Sequence, residues 1–280
     1  MKSSRIGLLD ADLLAYQAAA AAQTTIDWGN DWWTYHADAR RIREILDVKI
    51  KNISQTCTLD EVIMCFSDTE NFRMKVYPLY KSHRKDVPKP CGYPAAVAYL
   101  EDNYTIYRRP SLEADDVMGI LATWPAFKRG CTKIIVSEDK DLKTIPDVYI
   151  YNPNRDLEPE FNSKEVADYH FYLQTLTGDT TDGYPGCPGI GDSVAVELLK
   201  DKLKFEAYTY QFKKGPRKGT TQQRWTKSKS ESPWTSIVSC YLRAGLAEDD
   251  AIEQARCARI LRACDYDFKK KEVILWSPKI

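Results

Sequence analysis

Residues 111–119 read S-L-E-A-D-D-V-M-G, so three acids (Glu113, Asp115, Asp116) run directly into the apolar residues Val117, Met118, Ile120 and Leu121. In a helix starting near Ser111, positions Glu113, Asp116, Val117 and Ile120 share one face, at i, i+3, i+4 and i+7. Such a face constrains the fold, because a carboxylate among core residues is costly to bury unless a charge or metal meets it. The competing reading is a set of acids placed at a helix start, where the macrodipole favours them. This stretch alone leaves the two readings level.

Other apolar runs also end in acids. Residues 5–10 (R-I-G-L-L-D) read as a buried strand closed by Asp10. Residues 61–66 (E-V-I-M-C-F) read as a second, closed by Ser67 and Asp68. Residues 133–136 (K-I-I-V) read as another, followed by S-E-D-K-D-L with Asp139 and Asp141. Short strands are expected at 104–107 and 147–151, and helical patterns at 13–23, 38–54 and 95–100 alternate with the strands. The expected fold class is α/β, a mainly parallel central sheet with helices on both faces. Ligands of such sheets sit at the carboxyl ends of the strands, where Asp10, Asp68, Asp139 and Asp141 would meet. One such acid reads as a strand cap; acids from three strands repel one another unless cations neutralise them. Trp28, Trp32, Trp33 and Tyr35 read as core packing, the usual use of clustered aromatics.

The chain has 280 residues, enough for one large domain or a domain with a smaller module. The expected division is a catalytic α/β core over 1–160 and a helical region over 161–280 whose C-terminal segment packs back on the core. No apolar run approaches the ~18 residues that span a bilayer. Asp10 and Asp12 interrupt the N-terminal apolar segment, so a cytoplasmic protein without a membrane partner is expected. Eight cysteines are scattered without a C-x-x-C pair, and none of the three histidines lies in a nucleophile-like setting. Carboxylates must therefore carry any chemistry.

The formal net charge is zero, which leaves only local basic patches for nucleic acid. One is Y-K-S-H-R-K-D-V-P-K-P at 80–90. A second spans 200–229, where ten lysines and arginines face Asp201 and Glu206. Its G-P-R-K-G run at 215–219 reads as a hairpin tip, and Lys213, Lys214, Arg217 and Lys218 are candidates for phosphate contact. Between the patches, a helix is expected at 162–177, then Asp179 and Asp182 in a glycine-rich turn. Gly189, Ile190 and Gly191 follow, opening a helix at 193–199. That turn suits a phosphate through its backbone N–H groups, and equally suits a plain helix–turn–helix corner. Helices at 234–244 and 248–262 and a final strand at 273–276 complete the chain.

The acids arrive in the order Asp10, Asp68, Glu113/Asp115/Asp116, Asp139/Asp141, Asp179/Asp182, followed by G-I-G. From about residue 5 to 199 this resembles the structure-specific 5′-nuclease (flap endonuclease) superfamily with its PIN-like fold. The resemblance is strongest to the 5′–3′ exonucleases of short-tailed bacteriophages of the T-seven type, whose tail is also similar in A-R-I-L-R at 258–262 and V-I-L-W at 273–276. It implies a two-metal hydrolysis of double-stranded DNA from a 5′ end, with Mg²⁺ or Mn²⁺. Asp68 and Asp115 would hold the first ion, supported by Asp10 and Glu113. Asp139, Asp141 and Asp182 would hold the second, with Asp179 and Asp116 as further acids. Lys81 and Arg84 would contact the scissile phosphate, and Tyr80 would stack on a terminal base. Gly189, Ile190 and Gly191 would grip the duplex with the help of K⁺. RNA in an RNA–DNA hybrid is an implied second substrate, phage replication proteins are implied partners, and the host bacterial cytoplasm is the implied location. The span from Arg84 to Glu113 departs from the family, because Pro88, Pro90 and Pro94 oppose a long helical arch. Trimming of duplex ends is therefore expected over threading of flaps. A flap endonuclease, a non-catalytic DNA-structure-binding protein and a PIN-type ribonuclease are the alternatives.

Overall fold

The computed structural model describes residues 3–84 and 87–278. Strand β1 (Arg5–Asp10) runs straight into helix α1 (Ala11–Ala22). A hairpin of β2 (Gln23–Asp27) and β3 (Trp33–Ala37) leads to α2 (Ala39–Cys57) and β4 (Glu61–Phe66). Then come the short α3 (Arg73–Val76), α4 (Tyr93–Asn103), β5 (Thr105–Arg108), α5 (Ala114–Thr123) and β6 (Thr132–Val136). They are followed by β7 (Val148–Tyr151), β8 (Glu160–Asn162), α6 (Lys164–Thr177) and α7 (Asp192–Lys200). The chain closes with the hairpin β9 (Leu203–Gln211) and β10 (Thr221–Lys229), α8 (Pro233–Arg243), α9 (Glu248–Ala258), and the small pair β11 (Tyr266–Asp267) and β12 (Glu272–Val273).

These elements form two compact units, and the division differs from the expected cut at residue 160. The first comprises Met1–Phe72, Arg84–Ala167 and Ile260–Ile274; the second comprises Arg73–His83, Asp168–Arg259 and Leu275–Ile280. Ile260–Ile274, in the C-terminal part expected to pack back on the core, belongs to the first unit, whereas a linear reading of composition does not reveal that Arg73–His83 belongs to the second.

The first unit is built on a six-stranded sheet in the order β5-β4-β1-β6-β7-β8. It is parallel as far as β7, and β8 is antiparallel to β7. Ile6, Leu8 and Leu9 are all buried, as a central parallel strand covered on both faces requires. Leu9, Met64, Ile134 and Val136 pack with α1, α2 and α4. The alternate residues Leu8, Ile63 and Ile135 are buried as well, and α5 packs across β1, β4 and β6. Helix α2 starts at Asp38, whose side chain accepts from Arg40 N, and buries Ile42, Leu46, Ile50 and Ile53 along one stripe. The register sets Asp10 beside Cys65 and Leu9 beside Val136. The order reverses at β1, with β4 on one side and β6 on the other, so the switch point lies next to Asp10.

Three expectations change. Trp28, Trp32, Trp33 and Tyr35 lie on or beside the β2–β3 hairpin and are 59–74% exposed, not core; a two-stranded ribbon has no third layer to cover it. The helix expected at 95–100 runs longer, as Tyr93–Asn103, with Pro94 in its first turn, where proline lacks no needed N–H. The final strand is confined to Glu272–Val273, and the preceding helix ends at Ala258 with Arg259 extended.

The second unit packs Leu176, Cys187, Ile190, Leu198, Ile237 and Tyr241 in one cluster, and Tyr80, Phe171, Tyr184 and Cys257 in another. Arg73 is buried there, donating to the carbonyls of Cys257 and Arg259 at 3.0 and 2.6 Å.

Candidate active site

In the first unit the carboxyl edge of the sheet gathers the acids. Asp10 ends β1 and caps α1: its Oδ1 accepts from Leu13 N at 3.0 Å and its Oδ2 from the Ser137 hydroxyl at 3.4 Å. Burial, followed by the charges of Asp12 and Asp139, pushes its pKa up to about 7 against the pull of those two hydrogen bonds. Cys65, its partner on β4, has its thiol raised by burial first and then by Asp10 and Asp115. Asp115 and Asp139 therefore share the neighbourhood of Asp10. Asp139 caps the 3-10 turn Lys140–Thr144, accepting from Asp141 N at 2.8 Å, while its own N–H donates to Ser137 Oγ at 3.2 Å. Asp68 accepts from Ser111 N at 2.7 Å, and that N–H together with the N–H of Thr69 holds its pKa below the usual range.

Helix α5 begins at Ala114, not Ser111, because Ser111 takes φ 59° and turns the chain. Glu113 caps the helix, and Asp115 and Asp116 fall in its first turn. The two readings of this stretch thus divide between residues. Asp115 lies close enough to Cys65, the neighbour of Asp10 on β4, for its charge to raise that thiol. Asp116 is buried, accepting from Leu261 N at 3.1 Å and Glu113 N at 3.3 Å. These bonds make it a brace between α5 and the returning segment that starts at Ile260.

The second unit holds the remaining candidates. Asp179 is buried, and its Oδ1 accepts from Thr181 N and Asp182 N at 2.7 and 3.2 Å, so it builds the turn that presents Asp182. Asp182 accepts from the Tyr80 hydroxyl at 2.7 Å and pairs with Lys81 Nζ at 3.4 Å. Lys81 itself has φ 50°, and its N–H donates to Asp182 O at 2.7 Å. Tyr80 is 2% exposed with its ring against Tyr184, which removes it as a surface for stacking on a base. The side chain of Arg84 lies outside the described residues. Gly189 (φ 74°) and Gly191 are exposed ahead of α7, while Ile190 is a core residue whose N–H donates to Cys187 O. Lys213, Lys214, Arg217 and Lys218 are exposed around the tip of the β9–β10 hairpin. Nearer its base, Lys204 and Lys227 pair with Glu231 and Glu197.

Sequence reading missed Asp12. Its carboxylate accepts from Ser67 N at 2.7 Å and the Tyr93 hydroxyl at 2.8 Å, beside Asp10. The D-x-D spacing it shares with Asp139/Asp141 was the available signal. With Asp68, Tyr93, Lys89 and Arg108 it lines a cleft of about 750 Å³. Lys89 sits over the Tyr93 ring at 4.0 Å and Arg108 over Phe66 at 4.9 Å. Among the described residues no three His, Cys, Asp or Glu side chains close into a finished ligand cage. The donor chemistry nevertheless fits a hard cation: oxygen donors converge on a strand end where burial and like charge already oppose ionisation of Asp10.

The family model described as 5′-3′ exonuclease, N-terminal resolvase-like domain, matches residues 5–170. Over 97% of its length the chain is 35% identical to an exodeoxyribonuclease of Enterobacteria phage T3, covering 92% of that protein. It is likewise 35% identical over 97% of its length to an exonuclease of Escherichia phage T7, covering 93% of it. Among solved structures, a T5 5′-exonuclease with bound zinc ions is similar in fold, with a TM-score of 0.52 at 15% identity, over 72% of this chain and 76% of that one.

Proposed function

This chain belongs to the 5′–3′ exonuclease family, and from that premise we propose that it removes nucleotides from the 5′ side of double-stranded DNA in a reaction that needs divalent cations. The observation that carries this reading is Asp10, buried at the switch point with the charges of Asp12 and Asp139 upon it and its pKa pushed up to about 7. Like charges gathered at a buried strand end repel, and a bound cation inverts that balance.

Asp10, Asp68, Asp115, Asp139 and Asp141 would hold the ions, and an oxygen-only set suits Mg²⁺ or Mn²⁺. When bound, such ions neutralise charge at the phosphodiester and make water a better nucleophile. The chain's own groups do the rest. Asp12 and Asp68 fix the cleft wall through Ser67 and Ser111. Lys89 and Arg108 offer cations to the strand's phosphates, and Tyr93 offers a ring. On the family resemblance, Lys81, which pairs with Asp182, and Arg84 would contact the scissile phosphate. The backbone at Gly189 and Gly191, with K⁺, and the four cations of the hairpin tip would hold the duplex backbone. RNA–DNA hybrids as a second substrate, phage replication proteins as partners and the host cytoplasm as the location belong to the same proposal.

A time course on duplexes labelled at the 5′ or the 3′ end, with Mg²⁺ or with EDTA, tests it. Immediate loss of the 5′ label as a mono- or dinucleotide, stepwise shortening of the 3′-labelled strand, and arrest by EDTA are expected. An untouched blunt duplex beside an internally cut branched one would replace the exonuclease by a flap endonuclease.

A further inference from the structure

A hydrogen-bonded bridge stands behind the acids, between α1 and the segment after β6. The side-chain amide of Gln17 donates to Glu138 Oε1 at 2.8 Å, and its carbonyl accepts from Lys49 Nζ of α2 at 2.7 Å. The amide has one orientation here, because a lysine ammonium only donates and an ionised carboxylate only accepts. Glu138 lies between Ser137, whose hydroxyl links Asp10 to the N–H of Asp139, and Asp139 itself. The carbonyl of Glu138 accepts from Asn152 Nδ2 at 3.3 Å. The three bridging residues and Asp10 border one cavity of about 210 Å³.

The segment 137–141 carries three acids, Glu138, Asp139 and Asp141, and like-charge repulsion drives Asp139 away from Asp10. The Ser137 hydroxyl, at 3.4 Å from Asp10, is a long contact with which to oppose that. The Gln17 bridge is shorter at both ends and ties the segment to the helix that Asp10 caps.

We propose that Gln17 is a positioning residue for cation binding: by joining Lys49 to Glu138 it holds Asp139 and Asp141 where the ions need them. This inference rests on the cation-dependent reading above. It predicts behaviour of the metal-outer layer, where loss of a supporting hydrogen bond weakens metal affinity about 10–100-fold.

The test is Mn²⁺ binding by calorimetry on the full chain without DNA, with the urea midpoint measured in EDTA alongside. Gln17→Leu should weaken Mn²⁺ binding about tenfold or more while the urea midpoint stays near that of the native chain. Gln17→Glu should weaken it too, because two carboxylates then face each other. Combining Gln17→Glu with Glu138→Gln reverses the direction of the same hydrogen bond at unchanged total charge, and should restore most of the affinity. Native affinity in Gln17→Leu, or a double variant no better than Gln17→Glu alone, would overturn the proposal and leave the function standing. A native chain that binds no Mn²⁺ would overturn both.

Discussion

At the scale of single residues, Asp10 and the pair Asp115/Asp116 make the sharpest demands. The folded Asp10 keeps its proton up to a pH of about 7, against 3.8 for the ordinary carboxyl. Between those values the folded chain binds more protons than the unfolded one, so stability falls as pH rises through this window. In EDTA, the urea midpoint of the native chain should therefore drop between pH 5 and pH 8 relative to that of Asp10→Asn, which lacks the titrating group. A constant difference across that range would show that the strand end does not carry this strain. The neighbouring acids on α5 separate in the opposite way. Asp115→Asn should cut hydrolysis by about a hundredfold or more at little cost in stability, as expected of a residue facing the ions. Asp116→Asn keeps an acceptor for only one of the N–H groups of Leu261 and Glu113 and turns an amide donor toward the other, and should destabilise the fold by about 1–3 kcal/mol. Equal effects of the two on the urea midpoint would erase the distinction.

At the scale of elements, the returning segment and the basic hairpin have testable work. A methyl group on Gly119 would stand 2.3 Å from the carbonyl oxygen of Leu261. Gly119→Ala must therefore push α5 and that segment apart, and a loss of about 1–3 kcal/mol in urea denaturation is expected. The hairpin acts through charge. Neutralising Lys213, Lys214, Arg217 and Lys218 together should flatten the dependence of duplex affinity on salt, by about 0.9 in logarithmic slope for each phosphate that the tip no longer neutralises. An unchanged slope would make the tip a bystander. The β2–β3 hairpin shows where pattern reading misleads. Its strands are short and its tryptophans resemble core residues in composition, but among the described residues the ribbon pairs with no further strand, so its aromatics stay at the surface.

At the scale of the whole molecule, the cation reading has a stability consequence separate from catalysis. A ligand that binds the folded chain alone stabilises it by about 2.7 kcal/mol at a hundredfold excess over its Kd. Mg²⁺ at pH 8 should therefore raise the urea midpoint of the native chain, and should do so less for Asp115→Asn; an identical shift in both would argue that the ions bind elsewhere. Much of this arrangement was legible in the chain itself. The unbroken apolar run before Asp10, the runs before Asp68 and Asp139, and the α2 stripe from Ile42 to Ile53 each specify their element locally, because a buried strand or a half-buried helix leaves its period in the sequence. The order of the acids and the placing of Asp10, Asp68 and Asp139 at strand ends followed from that. The place of Arg73–His83 did not, since that segment joins a unit built mostly from distant residues. Nor did the parting of roles among the acids. Asp115 and Asp116 are adjacent and chemically identical, and what separates them is the N–H of Leu261, which arrives from 145 residues away. Local pattern determined where carboxylates could be; the long-range register of sheet and returning segment decided which of them meet other acids and which meet backbone donors.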